Sequence, residues 1–107
     1  MNPRRFKIYL GLLGLAMSGF VAAEPESKSL IKDFKFTPLA VKAGTTVTWV
    51  NRDDEPHTVV SDTGLFRSGG LDTNESFSYR FDKPGTYQIH CTIHPRMVAT
   101  VVVSPPS

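Results

Sequence analysis

Sulfur is scarce in this sequence: among 107 residues there is one cysteine, Cys91, and there are three methionines. A single thiol excludes the internal disulfide framework on which small exported domains commonly rely. Long apolar runs are missing too. The run from Ile8 to Val21 has 14 residues, short of the roughly 20 that a helix needs to cross a bilayer. Charge of one sign is also lacking, with 12 Lys and Arg against 10 Asp and Glu, so no basic face supports nucleic-acid binding. There is no internal repeat, no P-loop glycine pattern and no Gly-x-Ser-x-Gly elbow, and the length leaves room for one domain of the usual size. These absences argue against a multidomain enzyme, a P-loop nucleotide-binding protein and a hydrolase built on a Gly-x-Ser-x-Gly elbow.

What is present begins with Arg4, Arg5 and Lys7 ahead of that apolar run, which closes on Val21-Ala22-Ala23. A basic start, an apolar middle and small residues at the end form a secretory signal peptide. Residues 1–23 are therefore expected to be cleaved, leaving residues 24–107 as a single periplasmic domain with no membrane span. Arg4-Arg5 raises twin-arginine export, but Phe6, Lys7 and Ile8 suit ordinary secretion better. Processing removes three cations and no acid, so the formal charge falls from +2 to −1. In an oxidising compartment the lone Cys91 then calls for a role: intermolecular pairing, inert burial or metal ligation.

The residues of the mature chain pattern as strands. Leu30, Phe34 and Phe36 share one parity and Asp33 and Lys35 the other, which predicts a half-buried strand from Ser29 to Phe36. Thr45 to Val50 is dense in β-branched and aromatic residues and predicts another. His57 to Val60, Phe77 to Phe81, Thr86 to Cys91 and Val98 to Val103 continue the pattern, with Pro84-Gly85 as a turn. Ser61 to Ser76 is rich in Gly, Ser, Asp and Thr, with Leu65, Phe66 and Leu71 as its anchors. Six or seven short strands and no amphipathic helix predict an all-β sandwich or small barrel. Asp53-Asp54-Glu55 reads as a solvated acidic loop, and Trp49 as core.

Chemistry is concentrated at the end of one strand. Tyr87, Ile89 and Cys91 share a parity, so Cys91 faces the core where Tyr87 and Ile89 do, and His90 faces away. The loop that follows reads Cys91-Thr92-Ile93-His94-Pro95-Arg96-Met97, a Cys-x-x-His-x-x-Met spacing that places thiolate, imidazole and thioether within seven residues. Met1 and Met17 leave with the signal peptide, so Met97 is the only methionine of the mature chain. Soft sulfur with imidazole suits copper, and a His₂Cys set with a weak axial Met is the blue-copper arrangement. With His90 turned away, His57 is the histidine that remains to complete such a set.

These segments resemble the cupredoxins, within them the amicyanin, pseudoazurin and plastocyanin branch. Thr46-Val47-Thr48-Trp49-Val50-Asn51-Arg52 with Pro56-His57 looks like the family's first ligand segment, and the sequence from Pro84 to Met97 looks like its ligand loop. The resemblance implies a Greek-key β-sandwich that is not an enzyme. It implies one type 1 copper ion held by His57, Cys91, His94 and Met97. The implied function is to shuttle single electrons between protein partners such as a dehydrogenase, a cytochrome or a reductase. It further implies a monomer, docking near the exposed edge of His94, with Arg96 favouring an acidic partner. Three residues depart from the family's pattern: Thr58 stands where an asparagine usually follows the first histidine, Arg96 where an apolar residue precedes the methionine, and Val98-Ala99 where a glycine often follows it. A copper-delivery or copper-resistance protein is the alternative function. A single mature methionine argues against such a carrier, Thr92 after Cys91 argues against a multicopper oxidase, and Met97 would add nothing to structural zinc.

Overall fold

Alternating burial along short β-branched segments builds seven strands in the computed structural model, which describes residues 24–106. The expected signal peptide lies outside the described residues. The strands are β1 (Glu26–Ile31), β2 (Leu39–Lys42), β3 (Thr45–Asn51), β4 (Val60–Ser61), β5 (Ser76–Phe81), β6 (Gly85–His90) and β7 (Val98–Ser104). They form two sheets, ordered β1-β3-β5 and β2-β7-β6-β4. No helix occurs among the described residues. Both sheets are mixed: β1 runs parallel to β3 and β2 parallel to β7, while β3 with β5, β6 with β7 and β4 with β6 are antiparallel. The result is the all-β sandwich expected from the strand spacing.

Trp49 anchors the interior. It is fully buried and stacks on Phe66 and Phe77 with ring centroids 5.9 and 6.3 Å away, while Phe81 meets it edge-on at 6.3 Å. Aromatic pairs of this kind add about 0.5–1.5 kcal/mol each beyond area burial. Ile31, Val47, Val59, Ile89, Cys91, Met97 and Val101 continue the same core, so Cys91 and Met97 belong to the cluster that Trp49 anchors.

The first strand departs from expectation. It ends at Ile31, and its inward residues are Ser29 and Ile31, whereas Leu30 is 46% exposed. The register that pairs Ile31 with Asn51 in parallel decides this phase, and sequence alternation alone cannot see it. Lys32 and Lys35 then exchange backbone hydrogen bonds of 3.3 and 3.1 Å across a tight turn. Its central residues, Asp33 and Phe34, have φ of 56° and 59°. Positive φ at both centres is what a type I′ turn requires, and it is normally met by Asn-Gly. A phenylalanine there costs on the order of 1–3 kcal/mol. Phe34 is thus an exposed turn residue rather than an inward strand residue; Phe36 alone of that expected pair is buried.

Two other segments differ. Strand β2 was not expected, because its four residues follow Pro38 and are fixed by pairing with β7, about sixty positions away: Leu39 lies opposite Val101. In the stretch after β4, Phe66 and Leu71 are buried anchors, but Leu65 is 48% exposed. At the Ala43-Gly44 turn between β2 and β3, Gly44 has a φ of 96°, which a glycine adopts without steric cost.

Candidate metal centre

The first histidine is placed by an amide. Asn51, fully buried at the end of β3, donates through Nδ2 to the carbonyls of Glu55 (2.9 Å) and Leu71 (2.8 Å) and accepts the Asp53 N–H at Oδ1 (2.9 Å). These three bonds fold the 51–57 loop around the Asn51 side chain. A bridge between His57 and Leu71, with N–H···O distances of 3.1 and 2.7 Å, then pins the His57 backbone. His57 is 0% exposed.

Asp53 corrects the reading of residues 53–55 as a solvated loop, since it is only 6% exposed. Its Oδ1 accepts the Asp33 N–H at 2.7 Å, and its Oδ2 accepts the Phe34 N–H at 2.8 Å and faces His57 Nε2 at 2.8 Å. Burial acts to raise the carboxyl pKa, but the hydrogen bonds from Phe34, His57 and Asp33 and the attraction of the His57 ring outweigh it, so the group titrates below its ordinary range. An ionised acceptor at Nε2 puts the His57 proton there and leaves the Nδ1 lone pair free. That Nδ1 lies 3.1 Å from His94 Nδ1.

Cys91 follows β6 with its side chain inward and fully buried, as its parity predicts, and His90 turns to the other face to meet Asp62 at 2.5 Å. The ligand loop closes on itself: the Cys91 N–H donates to the Met97 carbonyl (3.1 Å) and the Met97 N–H to the His94 carbonyl (2.9 Å). Met97 is buried in the same cluster as Cys91. The His57, Cys91 and His94 donor atoms all lie within 4.8 Å of one another, with Cys91 Sγ 3.9 Å from His94 Nδ1. Two imidazole nitrogens and a thiol, converging from two distant segments with only His94 partly exposed, match the donor requirements of a soft transition metal.

Thr58 replaces the family's asparagine and still fastens the loop. Its N–H points at Cys91 Sγ (3.3 Å), its Oγ1 accepts the Thr92 N–H (2.8 Å), and the two threonine hydroxyls lie 2.8 Å apart. Reach lost in the shorter side chain is recovered by a second threonine on the loop itself.

A model of the cupredoxin-like domain matches residues 6–103. The chain belongs to the cupredoxin-like family. It is 36% identical over 96 residues to an amicyanin of Paracoccus denitrificans, covering 80% of this chain and 73% of that protein. It is 38% identical over 72 residues to a plastocyanin of Scenedesmus fuscus, covering 57% of this chain and 74% of that one. Among solved structures, a Cu(I) form of an amicyanin variant superposes with a TM-score of 0.70 at 34% identity, covering 77% of this chain and 85% of that one. A purple cupredoxin from Nitrosopumilus maritimus superposes with a TM-score of 0.67 at 33% identity, covering 73% and 99%. For a cupredoxin with this donor set, the cofactor is copper.

Sequence reasoning missed two residues here, Asp53 and Phe34. An acid four positions before a candidate ligand histidine is a usable signal, because ligating histidines regularly give their second N–H to a carboxylate. Phe34 carried no such signal; its ring reaches the site through a turn whose conformation the sequence does not announce.

Proposed function

We propose that this cupredoxin is a periplasmic electron carrier whose single type 1 copper is held by His57, Cys91, His94 and Met97. The observation that carries this reading is the convergence of His57 Nδ1, Cys91 Sγ and His94 Nδ1 within 4.8 Å, beside the one methionine of the mature chain. Copper supplies one-electron chemistry when bound, passing between its +1 and +2 states.

The protein's own part is positioning. Cys91 would hold the metal as a thiolate, a form that the metal itself would enforce, with the Thr58 N–H aimed at Sγ. The 51–57 loop and the closed 91–97 loop hang on paired strands, so the donors keep nearly one arrangement in both charge states. His57 is sealed, while His94 is half-buried and sits with Phe34, Ile93, Pro95, Arg96 and Met97 around a shallow depression. His94 is accordingly the electron exit, and Arg96 favours an acidic face on the redox protein that docks there. The chain acts as a monomeric carrier rather than an enzyme, exported by residues 1–23.

Reconstitution of the mature protein with Cu²⁺ tests the reading. An intense visible thiolate-to-copper band, lost in Cys91→Ala and reversibly bleached by a one-electron reductant, is the expected result. A colourless complex that neither bleaches nor recovers would point to copper delivery and defeat the proposal. For docking, Arg96→Glu is expected to slow electron exchange with an acidic partner and to weaken its salt dependence. Identical rates and salt slopes would remove Arg96 from the interface. The amino-terminal residue of the exported protein, expected to be Glu24, checks the processing site.

A further inference from the structure

The turn between β1 and β2 is strained at a residue that has no part in the core. Phe34 is 43% exposed, yet it holds a left-handed conformation, φ 59°, that glycine adopts freely and an aromatic side chain rarely does. The orientation has a cause. With Asp33 and Phe34 both at positive φ, their two N–H groups point together into the Asp53 carboxylate, a nest of successive backbone donors around an anion. The same oxygen that accepts the Phe34 N–H, Oδ2, also accepts from His57 Nε2. So held, the Phe34 ring lies edge-on to both imidazoles, its centroid 5.0 Å from His57 at 85° and 4.8 Å from His94 at 78°.

We infer that Asp53 and Phe34 form one bracket on the copper centre: the carboxylate orients His57 and seats the Phe34 ring over His57 and His94, closing the solvent side of the site. The inference rests on copper being held by these two histidines. Both residues are positioning residues. Asp53 keeps a negative charge one hydrogen bond away from His57, which favours the more positive copper state. Phe34 restricts rotation of His94 and blocks approach of small ligands. The strain at Phe34 persists because Asp53 fixes the turn, and it serves the site rather than the fold.

Two substitutions separate the roles. Phe34→Gly keeps the N–H that Asp53 needs and suits positive φ, so the apo protein folds at least as well as the parent while losing the ring. Asp53→Asn offers one acceptor oxygen to three donors and cannot satisfy the Asp33, Phe34 and His57 N–H groups together. With the copper-loaded, reduced proteins, the rate of Cu(I) transfer to bathocuproine disulfonate is the first readout, and both variants are expected to release copper about tenfold or more faster, the scale of lost outer-sphere support. The reduction potential is the second, rising in Asp53→Asn and moving less in Phe34→Gly. In the apo proteins, NMR reads the bracket without metal: the His57 Nε2–H resonance and cross-peaks from the Phe34 ring to His94 are present in the parent, and both are lost in Asp53→Asn. Release from Phe34→Gly at the parental rate would overturn the shielding role, and an unchanged potential and His57 resonance in Asp53→Asn would overturn the orienting role. A parent that shows both apo signals yet takes up no copper would defeat the carrier reading while leaving the Asp53 to Phe34 contact intact.

Discussion

Thr58→Val removes one hydroxyl and little else, which makes it the sharpest probe of how this chain fastens its ligand loop. The side chains are nearly isosteric, and the Thr58 backbone N–H still faces Cys91 Sγ. Three contacts disappear: the acceptor for the Thr92 N–H and the partner of the Thr92 hydroxyl, both at 2.8 Å, and a long, weak O–H···S contact to Cys91 Sγ at 3.8 Å. A net hydrogen bond contributes about 0.5–1.5 kcal/mol, and an orphaned buried donor costs about 1–3 kcal/mol. Thr58 is 8% exposed, but Thr92 lies at the surface, where water replaces part of the loss, so the expected destabilisation is about 1–2 kcal/mol. For a domain of this size that corresponds to a melting temperature lower by roughly 4–15 °C. Thermal unfolding of the apo protein is the assay, because it isolates the tie from copper binding. Thr58→Asn, with the family's residue, is expected to recover most of the loss. Should apo Thr58→Val melt with the parent, the threonine pair does not fasten the loop.

Removing copper unties His57 from the 91–97 loop: at free copper about 100 times Kd the ion contributes about 2.7 kcal/mol, so the apo protein should melt roughly 10–20 °C below the loaded one, and equal melting temperatures would contradict a cross-linking ion. The observed phase of β1 predicts that Ile31→Ala, at a fully buried position, costs about 2–4 kcal/mol in urea unfolding, while Leu30→Ala stays within about 0.5 kcal/mol of the parent. Asp53 has its folded pKa below the unfolded value, so its contribution is complete above about pH 4 and is lost as pH falls through the lower folded value. The stability of apo Asp53→Asn should accordingly change less with pH over that acid range than the parent's, and parallel curves would show that the buried carboxylate is not the acid-labile group.

Much of this protein was legible in its sequence, for reasons that are local. Parity along residues 86–91 put Cys91 inward and His90 outward because successive strand side chains point to opposite faces. Spacing from Cys91 to Met97 placed three donors in one loop, and the count of sulfur and histidine residues left His57 as the remaining partner. An all-β sandwich of six or seven short strands followed from β-branched runs separated by turn residues.

What stayed hidden depended on pairing across distance. The parallel register of β1 against β3 set which of Leu30 and Ile31 is buried, and a shift of one position would have reversed it. Strand β2 is four residues that gain their identity from β7. Asp53 sits in a run of acids whose composition describes a solvated loop, and it is the approach of Asp33 and Phe34 from another segment that adds two donors to the His57 Nε2–H and makes its burial tolerable. The sequence by itself determined which atoms can bind copper, since that is a property of residue type and short-range spacing. Tertiary structure alone decided how those atoms are held and covered, because the Asp53 carboxylate, the Phe34 ring and the paired hydroxyls of Thr58 and Thr92 meet only after segments some 20–60 residues apart have been brought together by the sheets.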